Sequence, residues 1–207
     1  MNRLRIGSFT NEDVEVLKSR ILNEKKEKKI SNACNLYFTN AEVAQHNEKR
    51  LAQLHNGVVT LPAVCNHPNG YKPTIMADGT IDSSPLLKSL KIKIGARIMI
   101  TLNVDVLDGI VNGSLGTVTD MIMEENDPSV VKCIIVAFDN EKCGSEQRKK
   151  YPELSKKGTP VFRKKLEYQL GAIKNSQKPN EVRGTIYQFA MKLAFSLTGH
   201  KMQVIKQ

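Results

Sequence analysis

Two short polar clusters carry the side chains in this sequence best suited to holding an anion. Thr39 and Asn40 lie in "LYFTNAEVAQHNEKRL", and Thr198, His200, Lys201 and Gln203 lie in "LAFSLTGHKMQ". A hydroxyl, an imidazole, an ammonium and the free backbone N–H groups of a helix start can together hold phosphates without reading bases. The residues alone leave a second reading open at each position. Asn40 can simply cap the helix that follows it, His200 can be an ordinary surface or core histidine, and Lys201 can be a solvated lysine.

A third stretch, "DVLDGIVNGSLGTVTDM" at 105–121, has the glycine content of a phosphate-cradling loop. A P-loop needs G-x-x-x-x-G-K-[ST] between a strand and a helix, and that pattern occurs nowhere in this sequence. Gly109, Gly113 and Gly116 are instead followed by Thr117-Val118-Thr119 and further strand-like sequence. Asn112-Gly113 therefore reads as a turn, with Gly116 permitting close backbone approach inside a small barrel. The four cysteines are scattered, which points to a reducing compartment rather than a disulfide framework. Cys65 and His67 offer two metal ligands without a second pair, so no zinc site is expected.

The elements that must position these groups follow from periodicity. Thr10 with Asp13 opens a helix predicted over 10–22, with Val14, Leu17 and Ile21 on one face. "EKKEKK" at 24–29 reads as a charged surface connection. "ACNLYF" predicts a buried strand, Thr39-Asn40 a turn, and Val43, Asn47, Leu51 and Leu54 one face of a helix. From residue 58 the texture changes to short strands and turns. "LKIKIGARIMITL" alternates as one half-buried strand, with Ile92, Ile94, Ala96, Ile98 and Ile100 inward and Lys91, Lys93, Arg97 and Met99 on a basic outer face. "SLGTVTDMIM" and "VVKCIIVAFD" predict a hairpin through "EENDPS", residues 140–160 a loop or short helix, and "PVFRKKLEYQL" another strand.

Composition bounds the partners. A chain of 207 residues with 31 Lys+Arg against 21 Asp+Glu has a formal charge of +10, which favours a polyanion such as nucleic acid. No run approaches the roughly 18 apolar residues that span a bilayer, and no signal-peptide core opens the chain, so it is expected not to be secreted or held in a membrane.

Taken in order, "RLRIGSFTNEDVEVLKSR", "LYFTNAEVAQHNEKRL", "LKIKIGARIMITLNVDVLDGIVNGSLGTVTDM" and "LAFSLTGHKMQ" resemble successive landmarks of the petite-integration-frequency (PIF) family of superfamily-one DNA helicases, including the helicase part of Helitron transposons. The resemblance implies an α/β fold: a partial RecA-like second motor domain of the P-loop NTPase class, interrupted by a small Src-homology-3-like β-barrel, the 2B insertion. The implied layout is a helix and linker at 1–30, motor sequence at 31–90, barrel and basic loops at 91–184, and a return to the motor at 185–207. It further implies that Thr39, Asn40, Thr198, His200 and Lys201 face single-stranded DNA, that Gln203 faces the nucleotide cleft, and that Asn112, Gly113 and Gly116 form a barrel turn. Three positions depart from the family pattern, which has a branched residue at Gly199, a glycine at Val204 and a proline at Ala190.

The complete family enzyme uses ATP and Mg²⁺ for 5′-to-3′ unwinding in DNA repair, recombination and telomere maintenance, in the nucleus or in mitochondria. The first motor domain, with its Walker A lysine and Walker B carboxylate, has no counterpart here, so this chain alone is expected to bind no cofactor and hydrolyse no ATP. Two other classes fit the same charge. One is a free-standing basic nucleic-acid-binding module, and the other is a protein-interaction fragment.

Overall fold

A computed structural model of the chain describes residues 6–21, 34–66, 74–76, 78–81, 84–169 and 183–199. The chain divides into two compact units, residues 1–33 and 34–207. In the first, α1 (Asn11–Ser19) starts at the Thr10 cap, whose hydroxyl accepts the Asp13 N–H at 3.4 Å while the Asp13 carboxylate accepts the Thr10 N–H at 3.0 Å. This is the predicted opening. The helix is shorter than 10–22, ending at Arg20, and the predicted stripe is uncovered, with Leu17 and Ile21 exposed.

The second unit begins with β1 (Asn35–Tyr37) and α2 (Asn40–Ala52), then leaves this pair for most of its length before returning in β12 (Ser196–Thr198). β12 runs parallel to β1, with Asn35 opposite Ser196, Leu36 opposite Leu197 and Tyr37 opposite Thr198. Parallel strands need a crossover, and here the crossover contains α2 together with the whole antiparallel part of the protein. The prediction that 33–38 forms a buried strand is corrected. β1 has a ladder partner on one edge only among the described residues, so Leu36 stays half exposed and Phe38, just past the strand, is fully exposed.

The intervening strands are β2 (Val59–Pro62), β3 (Val64–Asn66), β4 (Ser89–Ile92), β5 (Arg97–Ile100), β6 (Leu115–Met123), β7 (Val131–Phe138), β8 (Thr159–Phe162), β9 (Lys164–Gln169), β10 (Arg183–Gln188) and β11 (Met191–Leu193), with a short helix α3 (Ser145–Lys150). They form an antiparallel sheet in the order β11-β5-β6-β7-β8, a second in the order β3-β10-β9, and the pair β2-β4. No ladder among the described residues joins β8 to β11, so the hydrogen bonds trace open sheets over a shared core and not a closed ring. That core takes Leu51 from α2, Leu61 and Ile92 from the pair, Ile98, Val118, Ile134 and Val161 from the larger sheet, and Phe189 from the return segment.

Two predicted single strands are each broken in two. Within 89–101 the chain turns at Lys93–Ala96, where Gly95 has φ 89° and donates its N–H to the Val118 carbonyl at 2.7 Å. The inward set survives the break, since Ile92, Ala96, Ile98 and Ile100 are buried and Ile94 is half-buried. The outer set does not. Met99 packs against Ala194 and Leu197, because β5 is covered on both faces. "PVFRKKLEYQL" likewise divides at Arg163, β8 pairing with β7 and β9 with β10.

The glycine stretch is a turn, as its Asn112-Gly113 pair predicts. Gly113 has φ 96° and donates to the Ile100 carbonyl at 2.9 Å, and the Asn112 N–H donates to Asn103 Oδ1 at 3.0 Å. Gly116 sits in β6 between β5 and β7, where a Cβ would lie 2.6 Å from Val136 Cγ1 and 2.8 Å from the Ala137 carbonyl oxygen. Backbone cannot yield like a flexible side chain. Gly116→Ala should therefore lower the unfolding free energy by about 1–3 kcal/mol. Gly57→Ala, at a position open to solvent, should change it by less than about 0.5 kcal/mol. Urea titrations of the two variants check this pair of outcomes.

Candidate nucleic-acid interface

The parallel pairing of β1 and β12 brings Thr39-Asn40 and Thr198 to the same carboxyl edge, although they are far apart in sequence. Thr198 is the last residue of β12, opposite Tyr37, and Thr39 follows Tyr37 by two residues. In open α/β sheets, ligands bind outside the carboxyl ends of the strands. His200, Lys201, Gln203 and Val204 lie outside the described residues. A Cβ on Gly199 would meet nothing within 4 Å, so the branched residue of the family pattern has room there, while Ala190 is fully buried.

The helix cap is Thr39 and not Asn40, which is the first residue of α2; this corrects the capping alternative read from the sequence. The Thr39 hydroxyl accepts the Glu42 N–H at 3.2 Å and donates to Glu42 Oε2 at 2.7 Å, and the same carboxylate oxygen accepts the Thr39 N–H at 3.0 Å. A strand turning into a helix leaves the first N–H groups unpaired, and Thr39 with Glu42 satisfies two of them reciprocally. The hydroxyl and backbone bonds from Thr39 hold the Glu42 carboxyl below its ordinary range. An anion therefore already stands at the helix start. Thr39-x-x-Glu42 is a capping-box signature, so this feature was present in the sequence.

Behind the edge, α2 is bonded to both strands. His46 lies between Tyr37, whose hydroxyl is 2.9 Å from Nδ1, and Asn35, whose Nδ2 is 3.1 Å from Nε2. Burial, and then the charges of Arg50 and Lys49, push the His46 imidazole pKa down. Asn47 is buried and engages the return segment with its whole carboxamide. Its Oδ1 accepts the Ser196 N–H at 2.8 Å and the Ser196 hydroxyl at 3.2 Å, and its Nδ2 donates to the Leu193 and Ser196 carbonyls at 3.3 Å each. Ser196 and Thr198 share one face of β12, so this contact sets where Thr198 stands.

The basic strand face expected from Lys91, Lys93 and Arg97 is corrected. Lys93 donates to the Leu54 carbonyl at 2.8 Å, and Arg97 forms a two-pronged pair with Asp139 at 2.7 Å for both contacts; only Lys91 of the three is exposed. Sequence spacing shows which face a cation takes, not which carboxylate from another strand meets it. The glycine stretch also serves structure. Buried Asp108 accepts the Glu146 and Gln147 N–H groups at 2.8 Å each, closing the start of α3.

Other chemistries find no support among the described residues. Burial pushes the Cys133 and Cys143 thiols up to about 11, so both stay protonated near neutral pH and neither is an activated nucleophile. No cluster of three metal-ligating side chains is present among the described residues, and His67 lies outside them. A cavity of about 1080 Å³ is an open groove lined by Thr101, Asn103, Val106, Asn112, Phe138 and Asn140 among others, and Asp139 in its wall is paired with Arg97. It lies beside the glycine turn and not at the Thr39–Thr198 edge.

Comparison with known proteins bears on the fold. Residues 81–121 match the family model for "DNA helicase Pif1, 2B domain". The ATP-dependent DNA helicase PIF1 of Danio rerio is 35% identical over 122 residues, covering 58% of this chain and 18% of that protein. Among solved structures, Candida albicans Pif1 superposes with a TM-score of 0.60 at 21% identity, over 98% of this chain and 43% of that one. Bacteroides Pif1 bound to single-stranded DNA gives 0.56 at 22% identity, over 98% and 38%. At that identity the structures establish a shared fold. The chain spans less than half the length of each of these relatives.

Asn47→Ala removes four hydrogen bonds and leaves the buried Ser196 N–H without a partner. It should lower the unfolding free energy by roughly 2–3 kcal/mol, read by urea denaturation.

Proposed function

We propose, on the premise that residues 81–121 carry a Pif1-type 2B segment, that this chain supplies the single-stranded DNA grip of the second motor domain of a Pif1-type helicase. One observation carries the reading. The parallel β1–β12 pair gathers Thr39, Asn40 and Thr198 at one carboxyl edge from opposite ends of the unit. The split crossover supports a motor part made of β1, α2 and β12 that encloses an antiparallel insertion whose strands run from 59 to 193, wider than the 91–184 expected from the sequence.

In a complete enzyme of this kind, ATP with Mg²⁺ between two motor domains drives alternate gripping and release of the strand. The sequence has no Walker A loop, and the part assigned to the described residues of this chain is phosphate binding. His200 and Lys201 would extend the grip from the residues after β12, and Gln203 would face the nucleotide cleft of the complete enzyme. Contacts to phosphate from hydroxyls and backbone N–H groups position a strand without reading its sequence.

The capping box adds a condition. A DNA phosphate approaching Thr39 meets the Glu42 carboxylate, which already holds the Thr39 hydroxyl and N–H. Binding there exchanges one anion for another, and the grip is accordingly weak and easily released.

Fluorescence anisotropy of a labelled single-stranded oligonucleotide against the full chain, across a salt series and with duplex as control, tests the reading. Single strands should bind in preference to duplex, Thr198→Ala should weaken binding, and Glu42→Gln should tighten it by a few-fold. Equal affinity for duplex, with no response to either substitution, would instead indicate a general basic nucleic-acid-binding module.

A further inference from the structure

Phe38 stands fully exposed one residue before the Thr39 cap. The other phenylalanines of its unit are engaged. Phe138 packs against the main core, Phe162 meets the Tyr151 ring at 5.0 Å, and Phe189 and Phe195 lie under the Arg163 and Arg50 guanidiniums. No ring or cation contact reaches Phe38 among the described residues. A large aromatic ring left in water forgoes the burial that the other four obtain.

The backbone that carries this ring is fixed on both sides. Tyr37 is paired with Thr198 in the ladder and its hydroxyl lies 2.9 Å from His46 Nδ1, while Thr39 is locked into the capping box with Glu42. The ring is therefore presented from an anchored point of the chain, with only two side-chain torsions to restrict on contact. That point is the carboxyl edge itself, between the strand end opposite Thr198 and the Thr39 hydroxyl. A strand whose phosphates are held by Thr39 and Thr198 brings its bases to the same edge, each tied to its phosphate by one sugar. A formal charge of +10 favours such a polyanion over an apolar peptide as the occupant.

We propose that Phe38 is a stacking platform for one base of the single strand held at the β1–β12 edge. The proposal deepens the single-stranded DNA reading and rests on it. It adds to the hydroxyl and backbone N–H contacts one that does not depend on charge and does not read sequence, because every base has a π-face. It also gives the edge a way to tell single strand from duplex, in which the bases are already stacked on one another and paired.

The chain contains no tryptophan, so Phe38→Trp gives the full chain a single indole at this point. Its emission should be that of a water-exposed indole in the free protein, and oligothymidine should quench it, whereas an abasic strand of equal length should not. In anisotropy, Phe38→Ala and Phe38→Leu should each weaken oligothymidine binding about 5- to 10-fold with the salt slope unchanged, since they remove a stack and no phosphate contact. Phe38→Tyr should bind like the wild type. Against the abasic strand all four proteins should be alike. Substitution at so exposed a position should disturb folding little, which circular dichroism checks. Wild-type affinity in Phe38→Ala, beside a clear loss in Thr198→Ala, would overturn the stacking contact and leave the edge grip standing. An indole emission already shifted to the blue without DNA would mean that protein covers the ring, and would equally overturn it. A wild-type chain that binds no single strand would overturn both the contact and the reading beneath it.

Discussion

The carboxamide of Asn47 is the contact on which the second unit closes. A parallel strand pair cannot be joined by a tight turn, and the segment between α2 and β12 is long enough to make closure costly in chain entropy. Asn47 answers with a donor and an acceptor on one planar group, both buried and both directed at backbone, so that β12 arrives in one register against helix and strand. An apolar residue there would fill the space without choosing the register. The composition of the carboxyl edge depends on that choice, since a one-residue slip would turn Thr198 to the opposite face.

The antiparallel part is tolerated inside the crossover because it supplies its own core and its own polar satisfaction. Asp108 closes the start of α3 and ties the glycine turn to the 140–150 loop, while Arg148 holds the carbonyls on the other side of that loop. Gly116 lets three strands approach where any side chain would strike backbone. These contacts tie the turn to the strands and loop around it. The resemblance of the stretch to a phosphate loop is one of composition alone.

Electrostatics are less permissive than a net charge of +10 suggests. Some of the cations are already engaged, Arg97 with Asp139 and Lys157 with Asp120, and the helix start carries its own carboxylate in Glu42. A polyanion is attracted by the whole field but must displace or avoid particular acids at close range.

The Thr10 helix start, the 115–138 hairpin and the Asn112-Gly113 turn were legible in the sequence, because each is set by neighbours a few residues away; the second helix was legible too, though its cap is Thr39 and not the Asn40 read from the sequence. Alternation also identified Ile92, Ala96, Ile98 and Ile100 as core even though the strand carrying them breaks at Gly95, since the inward face is preserved across the turn. The family landmarks in "GARIMITLNVDVLDGIVNGSLG" pointed to the fold of the Pif1 structures for the same local reason. What the tertiary structure alone decided was pairing across distance. Arg97 meets Asp139, Met99 is covered from its second face, Arg163 lies over the Phe189 ring, and Thr198 stands beside Tyr37. Local sequence sets which way a side chain points, but its partner is chosen by how strands far apart in the chain come to lie side by side, and only the folded backbone specifies that.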